Sequence, residues 1–192
     1  MKQKNMDLKK LQIEDYKLML SSNKLSLNGK RWWKFFEFSF YITGLTLVLI
    51  LGSLMRILKV GYLEWQDPIL IIIPTLFVLW WLSYKKKELI FFEIRTPFGV
   101  KENHTIVINS LKNLNWYIKK NQPYFLEAFR EGRLAVKWGR DMISILIDNE
   151  RILINSICNL DIFKNQALFT FGRLKRNINE FANDIQKEMQ SN

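Results

Sequence analysis

The local feature of this sequence that most suggests chemistry lies near its C-terminal end. Arg173, Lys175 and Arg176 fall within four residues, directly after Gly172, where a helix is predicted to begin. Cations are unfavourable at a helix N-terminus, because the helix dipole there favours negative charge. A bound phosphate would relieve that cost through the free N–H groups. The pattern predicts an anion or lipid head-group site at the three cations, and the alternative is a solvated basic turn.

Residues suited to nucleophilic or metal chemistry are scarce. Cys158 is the single cysteine and His104 the single histidine. A thiol nucleophile needs a base within hydrogen-bond reach, and nothing in the sequence brings these two side chains together. The sequence contains no HExxH, CxxC, GxSxG or glycine-rich phosphate motif. We therefore expect no enzyme, no cofactor and no metal, with an uncharacterised enzyme as an alternative. The single cysteine also excludes an internal disulfide and suits a reducing cytoplasm.

Two uncharged apolar runs dominate the first half of the chain, Phe38–Met55 and Pro68–Tyr84. A helix rises about 1.5 Å per residue, and roughly 17–25 residues cross a bilayer. The runs predict transmembrane helices at about 36–56 and 67–84, which form a hairpin in the segment 31–85. The alternative is a pair of buried helices in a soluble core.

The flanks of these runs carry residues typical of membrane interfaces. Tryptophan favours the interface, and lysine favours its cytoplasmic side. The predicted interface anchors are Trp32, Trp33, Trp65, Trp80, Trp81, Lys85, Lys86 and Lys87. The positive-inside rule then places both termini in the cytoplasm and the short connector outside. We expect a multi-pass protein of the bacterial cytoplasmic (inner) membrane.

The charge balance indicates which partners to expect. The chain has a formal net charge of +11, from 29 basic and 18 acidic residues. A basic excess beside a bilayer favours anionic lipid head groups. Nucleic acid is the other usual partner of a basic chain, but no nucleic-acid motif occurs and we consider it unlikely. The expected partners are the lipid bilayer, anionic head groups and an unidentified protein.

The segment 1–30 precedes the hairpin. Leucine, tyrosine and methionine recur there at helical spacing, which predicts one amphipathic helix at about Met6–Leu20. Its apolar stripe fits either the membrane surface or the cytoplasmic domain, and the sequence does not distinguish these two locations.

The segment 86–192 is long enough for one compact core. Its pattern predicts a cytoplasmic α+β domain in the order β-α-β-β-β-β-β-α, an antiparallel meander with both helices on one face. The strand Asp141–Ile147 is apolar on both faces and should be central. The predicted strands are Leu89–Ile94, Trp116–Lys120, Tyr124–Arg130, Arg133–Trp138, Asp141–Ile147 and Arg151–Ile157, and the predicted helices are Glu102–Leu114 and Arg173–Met189.

Three short motifs occur in this domain, at 138–141 (WGRD), at 153–156 (LINS), and at 171–173 (FGR) followed by Asn177. Together they resemble small uncharacterised bacterial domains that are attached to membrane hairpins. The resemblance supports the layout and implies no chemistry. We therefore expect a membrane-anchored cytoplasmic binding or scaffolding protein, with an anionic phospholipid- or phosphate-binding module as the alternative.

Overall fold

The computed structural model describes residues 14–27, 29–61, 65–130, 141–158 and 172–191. The chain divides into two compact units, one within 28–87 and one made of the residues up to 27 together with those from 88 onward. The elements in chain order are α1 (helical residues 14–22), α2 (Gly29–Val60), α3 (Gln66–Glu88), β1 (Phe92–Arg95), α4 (Val100–Asn113), β2 (Tyr117–Asn121), β3 (Phe125–Arg130), β4 (Asp141–Asp148), β5 (Arg151–Cys158) and α5 (Arg173–Ser191).

The unit 28–87 consists of the two long helices, α2 and α3. Both are long and apolar enough to cross a membrane, within Ser39–Val60 and Gln66–Glu88. Their lengths correspond to about 33 and 35 Å of helix, against a hydrocarbon core of roughly 30 Å. The helix α2 begins at Gly29, before the predicted start near residue 36, and no proline lies within it.

Small hydroxyl side chains form a buried stripe along α2, and one of them contacts α3. Ser39, Thr46 and Ser53 are all buried, and they recur every seven residues along α2. A seven-residue repeat keeps one seam of a helix facing its neighbour. The indole N–H of Trp81 on α3 donates to Ser39 Oγ at 3.0 Å. We call Ser39, Thr46 and Ser53 the hydroxyl seam.

Within the described residues, the second unit is built on a five-stranded antiparallel sheet in the order β1-β5-β4-β3-β2. The strand β4 is central, as its two apolar faces predicted. The strands β2 to β5 form a meander, and β1 joins the sheet at the β5 edge. The predicted strand Arg133–Trp138 lies outside the described residues. Because β3 pairs directly with β4, from Phe125↔Leu146 to Arg130↔Asp141, the prediction of a five-strand meander with a further strand between these two needs correction.

One face of the sheet packs against α4 and α5, as predicted. The helix α4 begins after Gly99, whose N–H donates to the Glu102 carboxylate at 3.1 Å and so satisfies one free donor of the helix start. The helix α5 buries Phe181 and Ile185 completely in this core, where Phe181 stacks on Trp116. Burying one such side chain contributes about 1.5–3 kcal/mol to folding.

The opposite face of the sheet is also buried, at Phe129, Met142, Leu146 and Leu153. The helix α1 belongs to this unit rather than to the two long helices. The residues 6–13 of the predicted N-terminal helix lie outside the described part of the chain. The described part of that helix groups with the domain.

Candidate functional site

The three cations predicted to bind an anion do not act together. Arg173 points into the domain, where its Nη2 atom lies 2.8 Å from Asp141 Oδ1 and 3.4 Å from Cys158 Sγ. Lys175 and Arg176 point outward and are exposed. The carboxylate that faces Arg173 at the start of α5 therefore comes from the chain itself.

Asn177 is the centre of a buried polar network at this end of α5. Its side chain is 1% exposed. Its amide nitrogen donates to Asp141 Oδ2 at 2.8 Å and to Ser156 Oγ at 3.2 Å. Its amide oxygen accepts from Arg130 Nη1 at 2.7 Å. One side chain of α5 thus connects the end of β3, the start of β4 and the end of β5.

Arg130 extends this network along α5. Its guanidinium forms an ion pair with Glu180 as well as the hydrogen bond to Asn177. Its charge also lies over the ring of Trp116, 5.8 Å from the centroid. We call Arg130, Asp141, Ser156, Arg173, Asn177 and Glu180 the α5 network. Two arginines and two carboxylates balance in charge within it, so the network binds α5 to the sheet without an external ion.

The electrostatics of Asp141 follow from its burial. Its side chain is almost inaccessible to solvent. Burial raises the pKa of Asp141 above its usual 3.8, while the hydrogen bond from Asn177 and the charges of Arg173 and Arg130 oppose that rise. Asn177, Arg173 and Arg130 stabilise the ionised carboxylate of Asp141, whereas its burial destabilises that form. Because burial has the larger effect, the stability of the network depends on pH.

The nucleophile and base candidates lie apart. Cys158 accepts a hydrogen bond from Arg173. His104 Nε2 instead lies 2.8 Å from Asn121 Oδ1, beside the strand β2. Within the described ranges, no group of three or more histidine, cysteine, aspartate or glutamate side chains has the geometry to hold a metal ion. The geometry of the described residues supplies no nucleophile and base in contact.

The exposed cations line a shallow groove on the solvent side of α5. Its walls are formed by Gly172, Lys175, Arg176, Asn179, Glu180 and Asn183. Gly172 has a positive φ of 73°, which favours glycine at this turn. The peptide N–H of Arg176 donates to the carbonyl of Gly172, so the first turn of the helix already uses that donor. That bond is the first one within the helix, so an anion at this groove would meet the helix start as well as the Lys175 and Arg176 side chains.

The predicted interface anchors separate into two groups. Trp32, Trp33, Trp65 and Trp80 are exposed, each by more than two fifths of its surface, and Lys86 and Lys87 are exposed as well. These six side chains are available to an interface. Trp81 is 1% exposed and Lys85 is 4% exposed, and both point into the helix pair.

Lys85 is buried between aromatic rings. Its Nζ atom lies 5.0 Å from the ring centroid of Phe35 and 5.4 Å from that of Trp81. A lysine over aromatic faces is stabilised by the cation–π interaction. At the connector end of the pair, Arg56 lies 3.9 Å from the buried Asp67. Lys85 on α3 thus contacts a ring of α2, and Arg56 on α2 pairs with Asp67 of α3, so each interaction joins the two helices.

Sequence reasoning missed two features. The hydroxyl seam had a detectable signal, the seven-residue spacing of Ser39, Thr46 and Ser53. The α5 network had none, because its members come from distant parts of the sequence and meet only through the pairing of β3, β4 and β5.

Comparison with known proteins adds no family. No protein-family model matches the chain, and no curated protein matches it either.

Proposed function

We propose that this chain is a membrane-anchored binding or scaffolding protein of the bacterial cytoplasmic membrane, with both termini in the cytoplasm. The observation that carries the proposal is the large exposed apolar surface of α2 and α3. Side chains such as Leu47, Val48, Ile72 and Leu76 are each more than half exposed. A soluble protein rarely exposes a continuous apolar surface of this kind, and lipid would cover it.

The ends of the helices support the proposed orientation. Trp32 and Trp33 lie near the start of α2, and Trp80 lies near the end of α3. Lys86 and Lys87 follow in the last turn of α3 and are exposed. Aromatic rings beside lysines at the two chain-connected ends are typical of the cytoplasmic interface.

Pairing between the two flanking segments supports the same topology. Residues 23–25 pair with residues 89–91 through backbone hydrogen bonds. This pairing supports a topology in which the chain before α2 and the chain after α3 lie on one side of the membrane and both helices cross it.

Cysteine labelling in intact bacterial cells tests the topology. In a Cys158→Ser background, a membrane-impermeant maleimide should label Gln66→Cys at the connector end of α3 and should not label Gln190→Cys near the end of α5. Both positions are exposed. Permeabilising the cells should make Gln190→Cys reactive. Labelling of Gln190→Cys in intact cells would overturn the proposed orientation.

The binding role rests on the self-contained chemistry of the domain. The α5 network pairs its own charges, and His104 and Cys158 lie in different hydrogen-bond environments. A photo-crosslinking residue at Asn179 on α5, or at Lys101 on α4, tests this role in native membranes. Both sites are exposed. A discrete protein adduct from one of the two sites supports a specific partner. If neither site gives an adduct, α4 and α5 do not bind a partner protein.

The alternative, an anionic phospholipid- or phosphate-binding module, rests on Lys175 and Arg176 beside the groove of α5. The variant Lys175→Gln/Arg176→Gln should then reduce the anionic lipid retained by the full chain in native mass spectrometry. The matched control is Lys101→Gln/Lys112→Gln, which removes the same charge from exposed positions of α4. Equal lipid retention by both variants would reject the alternative.

A further inference from the structure

The chain before α2 is attached to the chain after α3 by a short backbone clasp. Leu25 N donates to Leu89 O at 2.8 Å, and Phe91 N donates to Asn23 O at 3.1 Å. Lys24 and Ile90 are the antiparallel partners between these two bonds. The hydrogen bonds flank this pair rather than join it, which is the close-spaced pairing of antiparallel strands.

A second attachment lies at the other end of α1. Tyr16 Oη donates to the carbonyl of Ile147 at 2.9 Å, and its ring lies 5.4 Å from that of Tyr124. Burial and the nearby Asp148 raise the pKa of Tyr16 to about 12. The phenol is therefore neutral at physiological pH and remains a hydrogen-bond donor.

The two attachments place α1 across the sheet. The clasp lies beside β1 at one edge, and Tyr16 reaches the ends of β3 and β4. The face that α4 and α5 do not cover contains Leu146 and Leu153, both buried. Asp148, the charge next to Tyr16, shares that face by strand alternation. Met19, between the attachments, is buried too.

We propose that residues 14–27 form a strap that occupies the second face of the sheet and is fastened at both ends. The two long helices are then an insertion into one discontinuous domain. A partner that uses this apolar face must first displace the strap, whereas a partner that uses α4 or α5 need not. The strap goes beyond the proposed function, because it holds whether or not the long helices cross a membrane.

Disulfide trapping in the full chain tests the clasp. The variant Lys24→Cys/Ile90→Cys, in a Cys158→Ser background, places two thiols at the close-spaced pair, within the geometry that a disulfide requires. Mild oxidation of membranes that contain the full chain should join the two peptides, as detected by mass spectrometry after digestion. The matched control Lys24→Cys/Phe92→Cys is two residues out of register and should crosslink several-fold less. No crosslink at Lys24/Ile90, or an equal yield in the control, would overturn the clasp.

Hydrogen exchange of the full chain in detergent micelles tests the other attachment. Tyr16→Phe removes the hydrogen bond to Ile147, so amide exchange in the peptide that covers residues 14–22 should become several-fold faster. The control Tyr117→Phe removes a hydroxyl from an exposed position on the edge strand β2 and should leave that peptide unchanged. Fast exchange of residues 14–22 in the unsubstituted chain would overturn the strap.

Discussion

Asn177 is a buried side chain that links α5 to the sheet. It holds Arg130, Asp141 and Ser156 at once, from three different strands. Removing one partner from a buried polar network leaves the others unsatisfied, and that cost exceeds the net contribution of the hydrogen bonds themselves. The residue scale therefore gives the sharpest stability prediction in the domain.

We expect Asn177→Leu to lower the free energy of unfolding by about 2–4 kcal/mol, because it leaves Asp141 buried with fewer hydrogen-bond donors. Denaturant unfolding of the full chain in micelles measures this change. Asn179→Leu is the matched control, because Asn179 is exposed on the same helix. A loss of similar size in both variants would show that the effect belongs to the helix and not to the network.

Asp141 makes the network sensitive to pH. Because its pKa is raised above 3.8, the folded protein takes up the proton at a higher pH than the unfolded chain. The desolvation cost of the ionised carboxylate is present at neutral pH and is removed as the pH falls through the raised pKa towards 3.8. Acidification should therefore stabilise the unsubstituted chain relative to Asp141→Asn, whose side chain does not titrate.

The Tm difference between the chain and Asp141→Asn, followed from pH 7 to about pH 4, measures this linkage. It should move in favour of the unsubstituted chain as the pH falls. Asp15→Asn, at an exposed site of α1, serves as the control for general acid effects. A difference that stays constant, or that moves towards Asp141→Asn, would contradict the raised pKa.

Single residues were the hardest scale to predict from sequence. The local rule that cations are unfavourable at a helix start marked the first turn of α5 as unusual. It did not identify the compensating anion, because Asp141 comes from another strand. Local rules identify an unbalanced charge, whereas the partner depends on strand pairing that one sequence does not specify.

At the scale of elements, the hydroxyl seam is the buried stripe of α2, and Ser39 in it contacts Trp81 of α3. Ser53 is buried in the seam, whereas a Cβ atom at Gly52 would meet nothing within 4 Å. A large side chain therefore fits at position 52, whereas at position 53 it would have to displace its neighbours. Overpacking a close helix contact costs about 1–3 kcal/mol.

We expect Ser53→Phe to lower the Tm of the full chain in micelles and to weaken the α2–α3 contact. Gly52→Phe, which adds the same ring one residue earlier at an exposed position, should leave the Tm unchanged or raise it, since it also removes a helical glycine. Equal Tm values for the two variants would show that the seam is not a close contact.

The elements themselves were largely predictable. The apolar stripe of α5 depends on helical periodicity, and the apolar residues on both faces of β4 form a continuous run, and one sequence contains both patterns in full. The edge position of β1 was not predictable, because an antiparallel partner of β5 can come from either end of the chain. The contact between residues 23–25 and 89–91 is equally non-local.

At the scale of the whole molecule, composition indicated two apolar helices next to an α+β domain, and both are present. The division of the chain was less simple than the linear order of segments suggested. Residues before α2 fold with residues after α3. A domain boundary drawn along the sequence cannot represent an insertion, since it assumes that neighbours in sequence belong together.

The insertion leads to a prediction about the whole chain. Leu25 and Leu89 are joined by a hydrogen bond, so a linker of about four to six residues in place of residues 28–87 should close the gap, as in an ordinary β-hairpin connection. This shortened chain should be soluble and should unfold cooperatively, because its apolar sheet face stays covered by α1. A matched chain that also lacks residues 14–27 exposes Leu146 and Leu153, and it should aggregate or unfold without cooperativity. If both shortened chains are equally soluble and equally stable, α1 does not belong to the folding unit.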